Sequence, residues 1–119
     1  MKKGNPFTHA LRGIKITFRE ERNFRIHLIL ASLCIGLGYW MGLSTIEWLW
    51  LGAIMAMVLV AELLNTAIEA VVDLISPGMH PLARKAKDAG AAAVLIAAII
   101  ALIGGVFIFG PKLWLYLFP

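Results

Sequence analysis

Residues 46–75 read IEWLWLGAIMAMVLVAELLNTAIEAVVDLI, and this stretch decides the fold class of the whole chain. Its first half, from Leu49 to Ala61, is entirely apolar. Its second half adds the polar residues Glu62, Asn65, Thr66, Glu69 and Asp73. A helix of this length extends about 45 Å, more than the ~30 Å hydrocarbon core of a bilayer. The stretch therefore predicts a membrane-spanning helix whose second half is polar along part of its surface.

Two further apolar segments lie on either side of this stretch. The chain has 119 residues and is 61% hydrophobic, more apolar surface than a soluble domain of this size can bury in one core. We predict membrane helices at residues 26–43, 46–75 and 82–109, the last ending at Gly110-Pro111. The fold class is an all-α membrane protein in which residues 1–119 form a single domain.

The amino-terminal segment, residues 5–22, predicts a helix of another kind. Asn5-Pro6 supplies an N-cap and a proline at the first helical position. Its apolar side chains recur at helical spacing and are Phe7, Leu11, Ile14 and Phe18. Its cations are Arg12, Lys15, Arg19 and Arg22. Such an amphipathic helix lies in the membrane interface or packs on a protein partner, and the adjacent membrane helices favour the interface.

The basic residues predict the orientation of the chain. Ten of the eleven Lys and Arg lie in the amino-terminal segment or between the second and third membrane helices, and the other is Lys112. The positive-inside rule places the amino terminus in the cytoplasm and the carboxy terminus outside. Clustering beside apolar segments argues against nucleic acid as a partner. We expect no cleaved signal peptide, and we expect the lone Cys34 to be inert packing.

The polar residues of the long helix predict a functional site. At 100° per residue, Glu62, Asn65, Glu69 and Asp73 share one face. Carboxylates near hydrocarbon must be neutralised, and Mg²⁺ favours carboxylate oxygens together with substrate phosphates. After a tight loop, Lys87 returns to the Glu69 and Asp73 end of this face. A lysine, a metal and a spare carboxylate are what phosphoryl transfer from ATP needs.

Other functions remain open on physical grounds. Intramembrane acids also serve proton-coupled transport, which predicts a small exporter subunit, and a polar face can simply join helices in a structural or regulatory subunit. The exporter predicts an essential acid in mid-membrane, whereas these acids crowd one end. The histidines His9, His27 and His80 lack metal-ligand spacing. The Gly-Lys-Ser/Thr ending of a phosphate loop is missing.

Two motifs resemble one family closely. Residues 61–73, AELLNTAIEAVVD, and residues 80–90, HPLARKAKDAG, are similar to the signature of the small bacterial integral-membrane diacylglycerol kinases, which include undecaprenol kinases. The resemblance covers nearly the whole chain. It implies an ATP- and magnesium-dependent lipid kinase in the bacterial inner membrane. It also implies a helical-bundle homotrimer with sites shared between subunits.

The resemblance also implies residue roles. Glu62 looks like the general base that deprotonates the lipid hydroxyl, and Glu21 and Glu69 look like the magnesium ligands. The candidate nucleotide-binding residues are Lys87, Asp88, Asn65, Asp73 and Arg25. The segments ERNFRIH, IEW and HPLA are more similar to the branch that phosphorylates undecaprenol than to the diacylglycerol branch. We therefore expect undecaprenol as the substrate, with diacylglycerol as the alternative.

Overall fold

The computed structural model describes residues 4–119, which form four helices joined by short connections. The helices are α1 (Pro6–Glu20), α2 (Arg22–Met41), α3 (Thr45–Ile75) and α4 (Pro81–Leu117). Of these, α2, α3 and α4 are long and apolar enough to cross a membrane. The molecule is 58 Å long, so its polar ends extend beyond a ~30 Å hydrocarbon core. The predicted all-α membrane architecture with an additional amino-terminal helix is confirmed.

The helix α3 is the centre of the molecule. It packs most extensively on α4 and also contacts α2 and α1. Its buried side chains, Leu51, Val58 and Glu62, are seven and four residues apart, about two turns and one turn, and so lie along one face. Most other large apolar side chains are exposed, as expected for helices that lipid or further subunits surround.

Local signals fix the helix ends. The turn between α2 and α3 has Gly42 in the left-handed conformation, with φ 68°, which glycine adopts without a Cβ clash. Ser44 and Glu47 then form a capping box, with Glu47 N donating to Ser44 Oγ at 3.2 Å and Ser44 N donating to Glu47 Oε1 at 3.0 Å. At the other end, α3 stops at Ile75, before Ser76-Pro77-Gly78, as predicted.

The predicted end of the third membrane helix at residue 109 is wrong. The helix α4 continues through Pro111 to Leu117, although proline cannot donate the usual backbone hydrogen bond. Side-chain contacts hold this extension in place: Lys112 Nζ lies 3.2 Å from Glu47 Oε1, and the Tyr116 ring lies 5.1 Å from the ring of Trp40. Proline is tolerated in membrane helices where neighbouring helices support the altered turn.

Aromatic side chains gather at this same end. The ring of Tyr39 on α2 packs 4.9 Å from that of Trp48 on α3 in a tilted arrangement, and the ring of Trp114 on α4 packs 4.5 Å from that of Phe118. Such rings suit the boundary between lipid and water. The belt therefore marks one membrane surface, and the polar half of α3 lies toward the opposite surface.

Candidate functional site

The centre of the site is Glu62, whose side chain is buried inside the membrane-spanning part of α3. Only 4% of that side chain is exposed, and its Oε1 lies 3.3 Å from His27 Nε2 of α2. Among residues 4–119, no donor makes a hydrogen bond of good geometry to Glu62 Oε1. A carboxylate is costly to keep away from water, so this position favours a functional group over simple packing.

One turn beyond Glu62 on α3, the side chain of Asn65 contacts both Glu69 and α4. Asn65 Nδ2 donates to Glu69 Oε1 at 3.3 Å. Its Oδ1 points at the backbone of Gly90 on α4, where even a Cβ would collide with it. Glycine at position 90 therefore lets α4 approach the polar face of α3 closely. The amide of Asn65 is fixed between the two helices and orients Glu69.

The junction between α1 and α2 brings Glu21 to the site. Glu21 is the single non-helical residue between the two helices, with an extended backbone. Arg25 Nη1 donates to the carbonyl oxygens of Phe18 and Arg19 at 2.8 and 2.9 Å, which closes the carboxy end of α1. The structure thus places Arg25 on the backbone of α1, and Arg25 does not line the cleft beside the α3–α4 loop.

Lys87 meets the far end of the acidic face. Its Nζ lies 2.6 Å from Asp73 Oδ1, with both side chains partly exposed. Asp88 instead pairs on the outside of α4 with Arg84, at 3.4 Å. Beside them is a cleft of about 640 Å³ that Asp73, Lys87, Arg84 and His80 help to line. The cleft offers cations and water access beside the α3–α4 loop, as a phosphate-bearing ligand requires.

The carboxylates fit a magnesium–nucleotide complex in their chemistry. Glu62 and Glu69 share one face of α3, and Glu21 joins the two helices α1 and α2, both of which contact α3. No group of three or more His, Cys, Asp or Glu side chains in residues 4–119 has the geometry of a complete metal cage. Magnesium usually binds through one or two carboxylates, with phosphates and water completing its shell. Glu21 and Glu69 are a donor set of that kind.

His27 is the contact that sequence reasoning missed. In the sequence, its spacing to the other histidines does not support a role as a metal ligand, and nothing adjacent to it indicates another role. Its distinguishing signal was its position, one residue inside the predicted first membrane helix, where an ionisable side chain is costly without a partner. That partner is Glu62.

An apolar cavity adjoins the site on its other side. It measures about 630 Å³, lies between α2, α3 and α4, and includes His27 in its wall. Apart from His27 and Cys34, its lining consists of hydrocarbon, methionine and glycine residues. The polar site is therefore open to water-soluble ligands at one end and adjoins hydrocarbon at the other.

Comparisons with known proteins identify the family of the chain. Residues 8–109 match the family described as prokaryotic diacylglycerol kinase. The chain is 49% identical over 107 residues to the undecaprenol kinase of Bacillus subtilis, covering 90% of this chain and 87% of that protein. It is 38% identical to the diacylglycerol kinase of Haemophilus influenzae, covering 88% and 91%, and 37% identical to that of Escherichia coli K12, covering 80% and 78%.

Proposed function

The chain belongs to the prokaryotic diacylglycerol kinase family and is a lipid kinase of the bacterial membrane, and we propose that it transfers the γ-phosphate of ATP to undecaprenol. The 49% identity to an undecaprenol kinase, against 37–41% to several diacylglycerol kinases, supports this substrate. Diacylglycerol is the alternative acceptor, since the family includes enzymes named for it.

One observation carries the catalytic assignment: Glu62 is a buried carboxylate whose Oε1 has no hydrogen bond of good geometry within residues 4–119, and along α3 it lies between the stretch that lines the apolar cavity and Asp73 of the polar cleft. A lipid alcohol has the same division, with a hydrocarbon chain and one hydroxyl group. A chain in the apolar cavity would bring its hydroxyl to Glu62. Glu62 is our candidate general base.

In the proposed transfer, the bond that forms is matched by one that breaks, and Glu62 accepts the proton. Glu62 takes the proton of the lipid hydroxyl, the alcohol oxygen bonds to the γ-phosphorus, and the bond from that phosphorus to the β,γ-bridging oxygen breaks. The products are the lipid phosphate and ADP. Lys87, which Asp73 holds at 2.6 Å, supplies positive charge to the transferred phosphoryl group. Asn65 and Asp88 are proposed to support nucleotide binding.

We assign Mg²⁺ to Glu21 and Glu69, because carboxylate oxygens are its preferred protein ligands. When bound with ATP, the ion would neutralise charge on the phosphates. Asn65, through its 3.3 Å hydrogen bond, holds Glu69 toward that position. Arg25, through the α1 carbonyls, does the same for Glu21.

The proposed assembly is a homotrimer with its amino terminus and α3–α4 loop in the cytoplasm. Ten of eleven Lys and Arg on that side support the orientation. A single chain leaves the cleft exposed and much of its apolar surface uncovered, which supports shared sites. Cross-linking in native membranes, followed by mass measurement, should give a species of three chains.

A substrate comparison tests the proposed function. Purified protein with Mg-ATP should phosphorylate undecaprenol with a higher kcat/KM than diacylglycerol, both measured in the same mixed micelles. Preference for diacylglycerol would replace undecaprenol as the main acceptor. If neither lipid, nor any other lipid alcohol in a panel, gained phosphate, the proposal would fail.

The alternative of a transporter, a small proton-coupled exporter subunit, is no longer supported. Family membership identifies a kinase, and the acids Glu62, Glu69 and Asp73 lie in the half of α3 away from the aromatic belt. ATP-independent proton-driven efflux from proteoliposomes would restore it.

A further inference from the structure

The lysine and the arginine that line the cleft beside the α3–α4 loop are both already paired with carboxylates. Lys87 Nζ lies 2.6 Å from Asp73 Oδ1, and Arg84 Nε lies 3.4 Å from Asp88 Oδ2. Lysine and arginine bind phosphate oxygens with the same donors that they offer to carboxylates. A phosphate group that enters the cleft therefore meets cations whose charge the protein itself already balances.

The two pairs differ in where the carboxylate lies. Asp88 does not line the cleft, and it meets Arg84 along the surface of one helix, four residues away. Asp73 does line the cleft, and it reaches Lys87 from α3 across to α4. Asp73 thus takes up the space beside the Lys87 ammonium group that a phosphate oxygen needs, which we call the phosphate position.

The exposure of Asp73 indicates that its contact with Lys87 can be exchanged. The Asp73 side chain is 61% exposed, so it stays hydrated when another anion takes its cation, and such a pair is weak. Glu47, at the opposite end of the molecule, is 28% exposed and accepts a hydrogen bond from Ser44 N in addition to its lysine contact. The Glu47 pair is suited to joining helices, whereas the Asp73 pair is suited to exchange.

We propose that Asp73 occupies the phosphate position in the nucleotide-free protein and that a phosphate oxygen of the nucleotide replaces it beside Lys87. This inference rests on the proposed kinase activity and adds a role for Asp73 within that site. After transfer, the phosphate beside Lys87 belongs to the lipid product. The returning carboxylate competes for the same ammonium group, so Asp73 lowers the affinity for phosphate ligands and helps the product leave.

A carboxylate that only orients Lys87 predicts an effect of the opposite sign. Such a carboxylate stays in contact with the lysine when phosphate binds, and its loss weakens nucleotide binding. A carboxylate in the phosphate position leaves when phosphate binds, and its loss strengthens nucleotide binding. The sign of the change in affinity therefore separates the two roles.

The test measures the Kd of a non-hydrolysable ATP analogue, with a β,γ-imido bridge, for the full-length protein in phosphatidylcholine nanodiscs containing magnesium. Asp73→Asn should lower this Kd about two- to fivefold, the strength of an exposed ion pair. Asp73→Glu keeps the negative charge and should stay close to wild type. Glu20→Gln is the charge-matched control, because Glu20 is exposed at the end of α1 and outside the cleft. It should leave the Kd unchanged.

A raised or unchanged Kd in Asp73→Asn would overturn the inference. An equal decrease in Glu20→Gln would also overturn it, because net charge alone would then explain the effect. Kinase activity of the same preparations separates this failure from failure of the proposed function. An active wild-type enzyme with a weaker-binding Asp73→Asn variant refutes only the role of Asp73, whereas a wild type that neither binds the analogue nor phosphorylates a lipid refutes both.

A measurement on the wild-type protein covers the case in which the variants fold poorly. Within residues 4–119, Lys87 and Asp73 form the only salt bridge between a lysine and an aspartate. Solid-state NMR with ¹⁵N at lysine Nζ and ¹³C at aspartate Cγ should therefore detect this contact in the nucleotide-free protein. Adding the magnesium complex of the analogue should abolish it and produce a contact between ¹⁵N and ³¹P. A ¹⁵N–¹³C contact that persists with the analogue bound would contradict the exchange.

Discussion

At the scale of single residues, the site depends on two carboxylates with different proposed tasks. Glu62→Gln removes the base, so kcat should fall by about 10²–10⁴-fold while ATP affinity stays nearly intact. Glu69→Gln removes a proposed metal ligand, so Mg-ATP binding should weaken and excess magnesium should restore part of the activity. Steady-state kinetics over a range of magnesium concentrations distinguishes the two. A raised KM for ATP with unchanged kcat in Glu62→Gln would contradict the roles.

The contact between His27 and Glu62 is a second residue-scale prediction. His27→Ala leaves a buried carboxylate without its neighbour, so the free energy of unfolding should fall by about 1–3 kcal/mol, and kcat should fall with it. His27→Gln keeps a hydrogen-bond donor and should retain more of both. Thermal unfolding in detergent and initial rates provide the measurements. Wild-type stability and kcat in His27→Ala would show that the contact does not matter.

These residues show what could and could not be predicted from the sequence. Helical spacing was sufficient to place Glu62, Asn65, Glu69 and Asp73 on one face, and loop length was sufficient to bring Lys87 to Asp73. The partner of Glu62 was not predictable, because His27 and Glu62 are 35 positions apart in the sequence. The hydrogen bonds of Arg25 were also missed, since they depend on the angle between α1 and α2.

At the scale of helices, α1 is joined to the site through its carboxy end. Its apolar side chains, including Phe7 and Leu11, are exposed, while Thr17 is buried against the rest of the molecule. This arrangement suits a helix that lies on the membrane and contacts α2 and α3. It leaves two roles open for α1, a lid over the acidic face or a passive anchor.

Deleting residues 1–18 separates these two roles. The deletion retains Glu21 but removes the Phe18 carbonyl that Arg25 binds. A lid predicts a large fall in kcat with the oligomer still intact. Activity and oligomer mass should be measured on the same preparation. Full activity of the truncated protein would leave α1 as an anchor only.

The extension of α4 shows where element prediction fails. Gly110-Pro111 is a strong stop signal in an isolated sequence. It was overridden by contacts of Lys112 and Tyr116 with α3 and α2, which hold the helix beyond the proline. The Ser76-Pro77-Gly78 signal had no such opposing contacts and ended α3 as expected.

At the scale of the whole molecule, the charge distribution predicts which surface faces the cytoplasm. The α3–α4 loop contains Met79, which is 97% exposed. In a Cys34→Ala background, Met79→Cys should react with a membrane-impermeant maleimide in inverted vesicles and stay protected in intact cells. The opposite pattern should hold for Phe118→Cys. Labelling of Met79→Cys from outside would reverse the orientation and separate the cleft from cytosolic ATP.

The turn at Gly42, Leu43 and Ser44 has a consequence for how the gene can change. Its three residues provide a left-handed glycine, a buried leucine and a helix cap, so any added codon displaces one of them. The exposed α3–α4 loop has no left-handed residue or buried side chain around Gly78, although it lines the candidate cleft. We therefore expect random in-frame insertions selected for a stable membrane protein, rather than for activity, to accumulate near residue 78 and to be absent from 42–44. Sequencing the surviving library would reveal this asymmetry, and frequent insertions at the tight turn would refute it.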